Sequence, residues 1–171
     1  ADKTKMYCYT LDGSGSDCPS SCTGGCEKNK HLPTLPYGTL GLTAAAKNVI
    51  AVGAVSGNKN IIDFSSRGPA KDGRVKPDVV ARGANVLSTI PTNQYGTLSG
   101  TSMATPVVTG VAALLTEQWR RTFNGAAPKP LQLKALIIAG TEELGNPGPD
   151  YTYGFGLVNA KESADLLIAD G

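Results

Sequence analysis

A long apolar segment, residues 103–119, is the sequence feature that most restricts how this chain can fold. Its alanine, valine and leucine side chains fall around most of the circumference of a helix, so no single side is marked out for solvent. Pro106 lies in the opening turn, where a missing backbone N–H costs little. A helix that is apolar on nearly all sides is stable only when other elements cover it. The segment therefore predicts a buried helix inside a domain.

Short strands and further helices are predicted on both sides of this helix. The continuous apolar run 49–55 is rich in β-branched and small residues, which is typical of a strand buried on both faces of a parallel sheet. Together with the other segments of regular pattern, it predicts an α/β domain with a parallel sheet. The other predicted strands are 61–66, 76–81 and 85–90, and the other predicted helices are 129–138 and 161–168.

Composition excludes several classes of function. The 171 residues carry 16 Lys and Arg against 14 Asp and Glu, and this balance is too even to favour nucleic acid or an anionic membrane surface. No apolar stretch approaches the roughly 20 residues that a membrane-spanning helix needs. The first residues, 1–5, contain no signal-peptide core. The length suits one domain.

Four cysteines lie in one polar segment near the N-terminus, with the spacing C-x9-C-x3-C-x3-C. Such a segment buries little apolar area, so two disulfides would supply order that packing cannot. A zinc site and free thiols are the alternatives, although two C-x2-C pairs are the usual pattern of a zinc site. The pairing among four cysteines cannot be chosen from sequence. Disulfides predict an oxidising compartment, and hence a secreted or extracellular protein. These cysteines are Cys8, Cys18, Cys22 and Cys26.

His31 is the single histidine of the sequence, and it lies in a polar run followed by Pro33. A catalytic imidazole needs a partner that holds its other ring nitrogen, and the neighbouring sequence offers none. We therefore interpret His31 as a surface loop residue.

Ser102 is the candidate for chemistry, because it stands at the start of the predicted buried helix. Free N–H groups and the positive end of a helix dipole stabilise negative charge that develops beside a serine oxygen there. Gly100 lets a substrate carbonyl come close to the main chain. The alternative is structural: serine is among the commonest N-cap residues, and Ser102 would then only satisfy an N–H of the first helical turn.

The seven residues from Gly100 to Pro106, Gly-Thr-Ser-Met-Ala-Thr-Pro, resemble the nucleophile motif of the subtilisin-like serine proteases, or subtilases. The resemblance extends from about Tyr37 to the C-terminus, with further similar blocks in the family's order at 48–55, 64–69, 76–79 and 154–160. It implies the C-terminal part of a subtilisin-like catalytic domain at 37–171, preceded by a Cys-rich insertion or extended loop at 1–36.

The resemblance also implies roles for individual residues. Ser102 would be the acylating nucleophile, and its own N–H would donate to the oxyanion. Thr101 would support the oxyanion hole. The backbone of Ser99 and Gly100 would line the groove in which an extended peptide binds as a β-strand. The stretch from Tyr37 to Leu40 would supply one wall of the S1 pocket.

This chain departs from the family pattern at two positions and lacks several segments. Val107 stands where relatives often have histidine, at a packing position, and Arg82 stands where they usually have proline, in a surface turn. A subtilase triad runs Asp, His, Ser along the chain. The segments that carry the Asp, the His and the oxyanion Asn are not found among these residues. We expect a companion N-terminal chain to supply them, because a serine hydroxyl is a poor nucleophile without a base.

Two functions remain open at this point. In the first, the chain is the serine-bearing part of an endopeptidase that cleaves peptide or protein substrates and can be blocked by an inhibitor. In the second, it is a catalytically inactive fragment or pseudo-protease module that acts in binding or self-association, because half of a parallel sheet exposes an edge and an apolar face.

The expected chemistry requires no cofactor, and a structural calcium ion is left open, since family members often bind one. Asp78 is the candidate ligand. Asp63, Asp78 and Asp150 do not form a calcium loop with regularly spaced oxygen ligands.

Overall fold

The computed structural model describes residues 7–9, 15–17 and 38–169. The first two ranges are strands, β1 (Tyr7–Tyr9) and β2 (Gly15–Asp17), which pair antiparallel with Cys8 opposite Ser16. The predicted disulfides, the prediction for His31 and the contribution of Tyr37 to an S1 wall lie outside the described residues. The division into 1–36 and 37–171 stays a prediction.

The central sheet contains two parallel strands, β3 (Val52–Val55) and β4 (Val79–Arg82). Val52 lies opposite Val79 and Ala54 opposite Ala81. Most of both strands is buried, as their continuous apolar sequences predict. A parallel bridge from Val80 to Leu157 brings the segment before the last helix to the other side of β4.

The predicted strand at 61–66 is wrong. Only an antiparallel bridge between Val55 and Ile61 forms there, and the chain then turns, with the Ser65 N–H donating to the Ile62 carbonyl. The turn allows Ser65 Oγ to accept the Ala54 N–H at 2.9 Å. A buried side chain thus satisfies a backbone donor of β3 in place of a neighbouring strand.

An exposed hairpin follows β4. Its strands, β5 (Val86–Ile90) and β6 (Gln94–Leu98), pair antiparallel with Leu87 opposite Thr97 and Thr89 opposite Tyr95. The turn that joins them contains Thr92 and Asn93, both with positive φ angles. The hairpin leads the chain directly to Ser99 and the start of the first helix.

Three helices form within residues 38–169: α1 (Thr101–Thr122), α2 (Pro130–Ala139) and α3 (Ala160–Ala169). Of these, α1 packs on β3 and β4, while α2 and α3 pack against α1 and each other. The predicted helices at 103–119, 129–138 and 161–168 are confirmed, apart from boundaries that differ by a few residues. Proline occupies the first position of α2, where its fixed φ angle favours the helix. Asn159 caps α3, because its Oδ1 accepts the N–H groups of Lys161 and Glu162.

The core lies between one face of α1 and the strands β3 and β4. The buried residues of α1 recur at helical spacing, and they pack with Ala54, Val79, Ala81 and Ile137. The opposite face of α1 is exposed and includes Val107 and Leu114, so the predicted burial of this helix holds along one face only. The buried residues of α1 are Ala104, Val108, Val111 and Leu115. Within the described residues, no helix is long and apolar enough to cross a membrane.

Candidate active site

Ser102 is the second residue of α1, and its side chain is exposed. The N-cap of the helix is Gly100, which makes no side-chain capping hydrogen bond, so the interpretation of Ser102 as an N-cap is wrong. The first N–H groups of a helix have no partner within it, and the positive end of the helix dipole lies there. The Ser102 hydroxyl therefore lies at the surface beside groups that favour negative charge.

The segment that precedes Ser102 (Ser99 and Gly100) is hydrogen-bonded to the turn at residues 83–85. The Gly100 N–H donates to the Gly83 carbonyl at 2.7 Å, and the Asn85 N–H donates to Ser99 Oγ at 2.9 Å. A β-carbon on Gly83 would lie 2.7 Å from both Ala54 Cβ and the Gly100 carbonyl oxygen. Glycine at position 83 thus allows the end of β4 to approach the start of α1 closely.

The predicted groove and oxyanion residues, Ser99, Gly100 and Thr101, form the segment that enters α1. Gly100 is extended, with φ 162° and ψ 161°. Ser99 directs its Oγ toward the turn at residues 83–85, and Thr101 is half-buried. The Thr101 carbonyl accepts the Thr105 hydroxyl at 2.9 Å, inside the first turn of the helix. The oxyanion and groove roles of these residues stay predictions.

A long charge-free stretch of sequence runs through the hairpin and much of α1, a feature that sequence reasoning missed. From Gly83 to Thr116 the sequence contains no Asp, Glu, Lys, Arg or His. Large apolar side chains are nevertheless exposed on the hairpin, with Leu87 67%, Tyr95 74% and Leu98 53% accessible. The absence of charged residues over so long a stretch is the sequence feature that could have indicated this surface. Exposed apolar surface of this kind marks interaction sites.

A general base for Ser102 is not found in the main described range. The sequence has one histidine, His31, so residues 38–169 contain none. Side chains that accept a proton near neutral pH are chiefly histidines, and the serine needs such a group to become a nucleophile. Residues 38–169 can therefore supply a hydroxyl and helix-terminal N–H donors, but no histidine that could act as the base.

Both carboxylate oxygens of Asp78, the candidate calcium ligand, have partners within the protein. Its Oδ2 lies 2.6 Å from Lys76 Nζ and accepts the Ala51 N–H at 2.7 Å, while its Oδ1 lies 2.8 Å from Lys134 Nζ. Asp150 also uses an oxygen internally, accepting the N–H groups of Thr152 and Tyr153. Among the residues that the structure describes, no group of three or more His, Cys, Asp or Glu side chains could hold a metal ion.

Further sequence predictions concern Val107, Arg82 and the stretch that begins at Tyr37. The packing position predicted for Val107 is wrong, because its side chain is exposed on the outer face of α1. Arg82 ends β4 and donates to the carbonyls of Ala84 and Asn85 at 3.3 and 3.4 Å, so it contacts the turn beside the site. Gly38 and Thr39 donate their N–H groups to the carbonyls of residues 68 and 67, at 2.6 and 2.9 Å.

The surface also carries two side chains with shifted pKa values and a groove. The Arg74 guanidinium lowers the pKa of the Asp72 carboxyl, and the Asp165 carboxylate raises the pKa of the Lys161 ammonium group. A groove of about 300 Å³ runs between α1 and α3, lined by residues including Leu115 and Ala164. The α1 residues that line it belong to the half of the helix away from Ser102.

Comparison with known proteins relates most of the described residues to one family. The model of the subtilase family matches residues 33–156. The serine protease AprX of Bacillus subtilis is 35% identical over 146 residues, covering 73% of this chain and 31% of AprX. Subtilisin DY of Bacillus licheniformis is 38% identical over 126 residues, covering 74% of this chain and 40% of that protein.

A solved structure shows the same likeness in three dimensions. The CspB protease of Clostridium perfringens superimposes with a TM-score of 0.71 at 38% identity, over 77% of this chain and 29% of that chain. The predicted subtilisin-like α/β fold is therefore confirmed. The chain spans less than half the length of each of these relatives.

Proposed function

The chain belongs to the subtilase family of serine proteases, and from this membership we propose that Ser102 is the acylating nucleophile of a serine endopeptidase. The observation that carries the proposal is the position of Ser102. It is exposed at the second residue of α1, beside the helix N-terminus, and the capping position belongs to Gly100. A hydroxyl in that place is free to attack a substrate carbonyl.

The proposed reaction follows from this position. A base removes the Ser102 hydroxyl proton while Oγ attacks the carbonyl carbon of the scissile peptide bond. The oxygen of the tetrahedral intermediate accepts the Ser102 N–H, and Thr101 supports this hole. When the C–N bond breaks, the protonated base gives its proton to the leaving amine, and an ester on Ser102 remains. Water then hydrolyses the ester by the same proton transfers in reverse.

The Asp, the His and the oxyanion Asn are proposed to come from a companion N-terminal chain. Support comes from the sequence, since residues 38–169 contain no histidine that could act as the base. The exposed apolar side chains of the hairpin that leads to Ser102 also suit burial against another polypeptide segment. Without this companion we expect little hydrolysis, because binding and an oxyanion hole alone retain only a small part of the rate.

The proposed substrate is an extended stretch of a peptide or protein. The backbone of Ser99 and Gly100 would line the groove in which it binds as an added β-strand, and the Gly100 N–H, bonded to the Gly83 carbonyl, would hold that groove in place. No cofactor is needed, because nucleophile, base and oxyanion donors are all amino-acid groups. Export from the cell is part of the proposal, since four clustered cysteines favour disulfides in an oxidising compartment.

A second function is favoured by the exposed apolar side chains of the hairpin and of α1. In this alternative the chain is an inactive module that binds a partner or a second copy of itself. Leu87, Tyr95 and Leu114 would lie in that interface. The alternative requires no base for Ser102.

Labelling with a fluorophosphonate probe, followed by intact-mass analysis under denaturing conditions, tests the proposal on the protein as isolated. A probe adduct on this chain together with a second polypeptide in the spectrum is the expected result. The variant Ser102→Ala should lose the adduct. An adduct with no second polypeptide would contradict the companion chain, and an unlabelled chain would favour the inactive module.

A further inference from the structure

The turn at residues 83–85, which joins β4 to β5, is bonded to the segment that leads into α1. Two hydrogen bonds connect them: Gly100 N–H to the Gly83 carbonyl at 2.7 Å, and Asn85 N–H to Ser99 Oγ at 2.9 Å. Both bonds end on residues that immediately precede Thr101 and Ser102. The turn is therefore in direct contact with the approach to the candidate nucleophile.

Asn85 gives this turn its shape. Its φ angle is +50°, in the left-handed region, which asparagine enters more readily than most residues that carry a β-carbon. The Asn85 side chain is exposed, so the identity of the residue acts mainly through the backbone. Arg82 contacts the same turn, because its guanidinium donates to the carbonyls of Ala84 and Asn85.

We propose that Asn85 is a positioning residue for the Ser102 site. Its left-handed backbone holds the turn in the form that bonds to Ser99 and Gly100, and so sets the direction in which the chain enters α1. The proposal rests on the proposed function, since it concerns the placement of a catalytic serine. Small errors in the placement of reacting groups are costly to catalysis: a shift of about 1 Å can lower a rate by roughly a hundredfold.

The hairpin itself offers a matched control. Asn93 lies in the turn at its far end, between β5 and β6, and has a similar φ angle of +55° and an exposed side chain. Valine is strongly disfavoured in the left-handed region. Asn93→Val and Asn85→Val therefore impose the same kind of backbone strain, but only Asn85 is bonded to the segment before Ser102.

The experiment measures the rate of fluorophosphonate labelling for the isolated protein, together with any polypeptide that co-purifies. Asn85→Val should slow labelling about tenfold, as expected for displaced reacting groups, while Asn93→Val stays within about twofold of the parent chain. Asn85→Gly should restore the rate, because glycine adopts the left-handed region freely. Melting temperatures should fall by similar amounts in the two valine variants. Hydrogen exchange of the Gly100 amide should rise in Asn85→Val alone.

Three results separate the outcomes. Equal labelling of Asn85→Val and the parent chain, or equal losses in both valine variants, would overturn the positioning role while the proposed function stands. A parent chain that is not labelled would overturn the proposed function and this inference with it. If Asn85→Val does not fold, Ser99→Ala replaces it as the test, because it removes the acceptor without straining the backbone. Labelling should then fall for Ser99→Ala and recover for Ser99→Thr.

Discussion

Lys134 Nζ lies 2.8 Å from Asp78 Oδ1 and joins α2 to the start of β4. The same carboxylate is bonded through its other oxygen to Lys76, and the side chains of Lys76 and Asp78 are 2% and 6% exposed. Lys134 also donates to the carbonyls of Lys47 and Val49, at 3.2 and 2.9 Å. The Asp78 carboxylate thus compensates the charges of two ammonium groups. Through Lys134, the segment before β3 is joined to α2 and to the start of β4.

Asp78→Asn should destabilise the fold by about 3–5 kcal/mol, because two cations would be left near a neutral amide. Glu117→Gln is the control, since Glu117 forms an exposed pair with Arg121 and its loss should cost less than about 1 kcal/mol. Urea unfolding followed by circular dichroism measures both. Equal midpoints for the two variants would contradict the dependence of the fold on Asp78.

Ile137→Ala should cost about 2–5 kcal/mol of unfolding free energy, since the Ile137 side chain is fully buried in the core beneath α1. Leu131→Ala, in the same helix, should change stability by no more than about 0.5 kcal/mol because Leu131 is exposed. Thermal and urea unfolding of both variants would reveal the difference. Similar losses of unfolding free energy for the two variants would contradict the packing of α2 on the core through the face that carries Ile137.

Gly83→Ala should destabilise the chain by about 1–3 kcal/mol, because the new methyl group would contact Ala54 Cβ and the Gly100 carbonyl oxygen at 2.7 Å. Gly110→Ala is the opposite case. No atom lies within 4 Å of a β-carbon there, and alanine favours a helix over glycine by up to about 1 kcal/mol. Unfolding measurements on the two variants should therefore give shifts of opposite sign.

The hairpin face that carries Leu87 and Tyr95 should be a binding surface, since the two residues alternate with threonines on one exposed side of β5 and β6. Replacing both by serine should lower the binding of an apolar fluorescent dye and any self-association seen by light scattering. A variant with Thr89→Ser and Thr97→Ser on the same face is the control. If dye binding is unchanged in the variant that lacks Leu87 and Tyr95, the dye binds to the exposed apolar residues of α1 rather than to the hairpin.

Regular elements with strong patterns were predictable from the sequence. The apolar run before Val55 and the long segment after Met103 became β3 and α1, because their side chains can be buried only in those forms. The strand predicted around Phe64 failed for a local reason that no pattern shows. There Ser65 turns inward and bonds to Ala54, a contact set by tertiary packing rather than by propensity.

The sequence predicts which residue is the candidate nucleophile, but not the contacts that surround it. The motif identifies Ser102, while local physics alone leaves a capping role open, and that position belongs instead to Gly100. The support from Asn85 could not be found in advance, because it depends on a left-handed turn that meets Ser99 across the hairpin. The one-sided burial of α1 was missed as well, since apolar composition does not reveal which face a fold covers.

The charge-free stretch from Gly83 to Thr116 has a kinetic consequence. Oppositely charged surfaces accelerate encounter, and that acceleration disappears as salt is added. Apart from Arg82 at its border, this stretch, which includes Ser102, contributes no charges that could attract a partner. Its association rate constant should therefore lie near the unassisted range of about 10⁵–10⁶ M⁻¹s⁻¹ and vary little with ionic strength. High affinity at this face would then come from a low dissociation rate constant rather than from a high association rate constant.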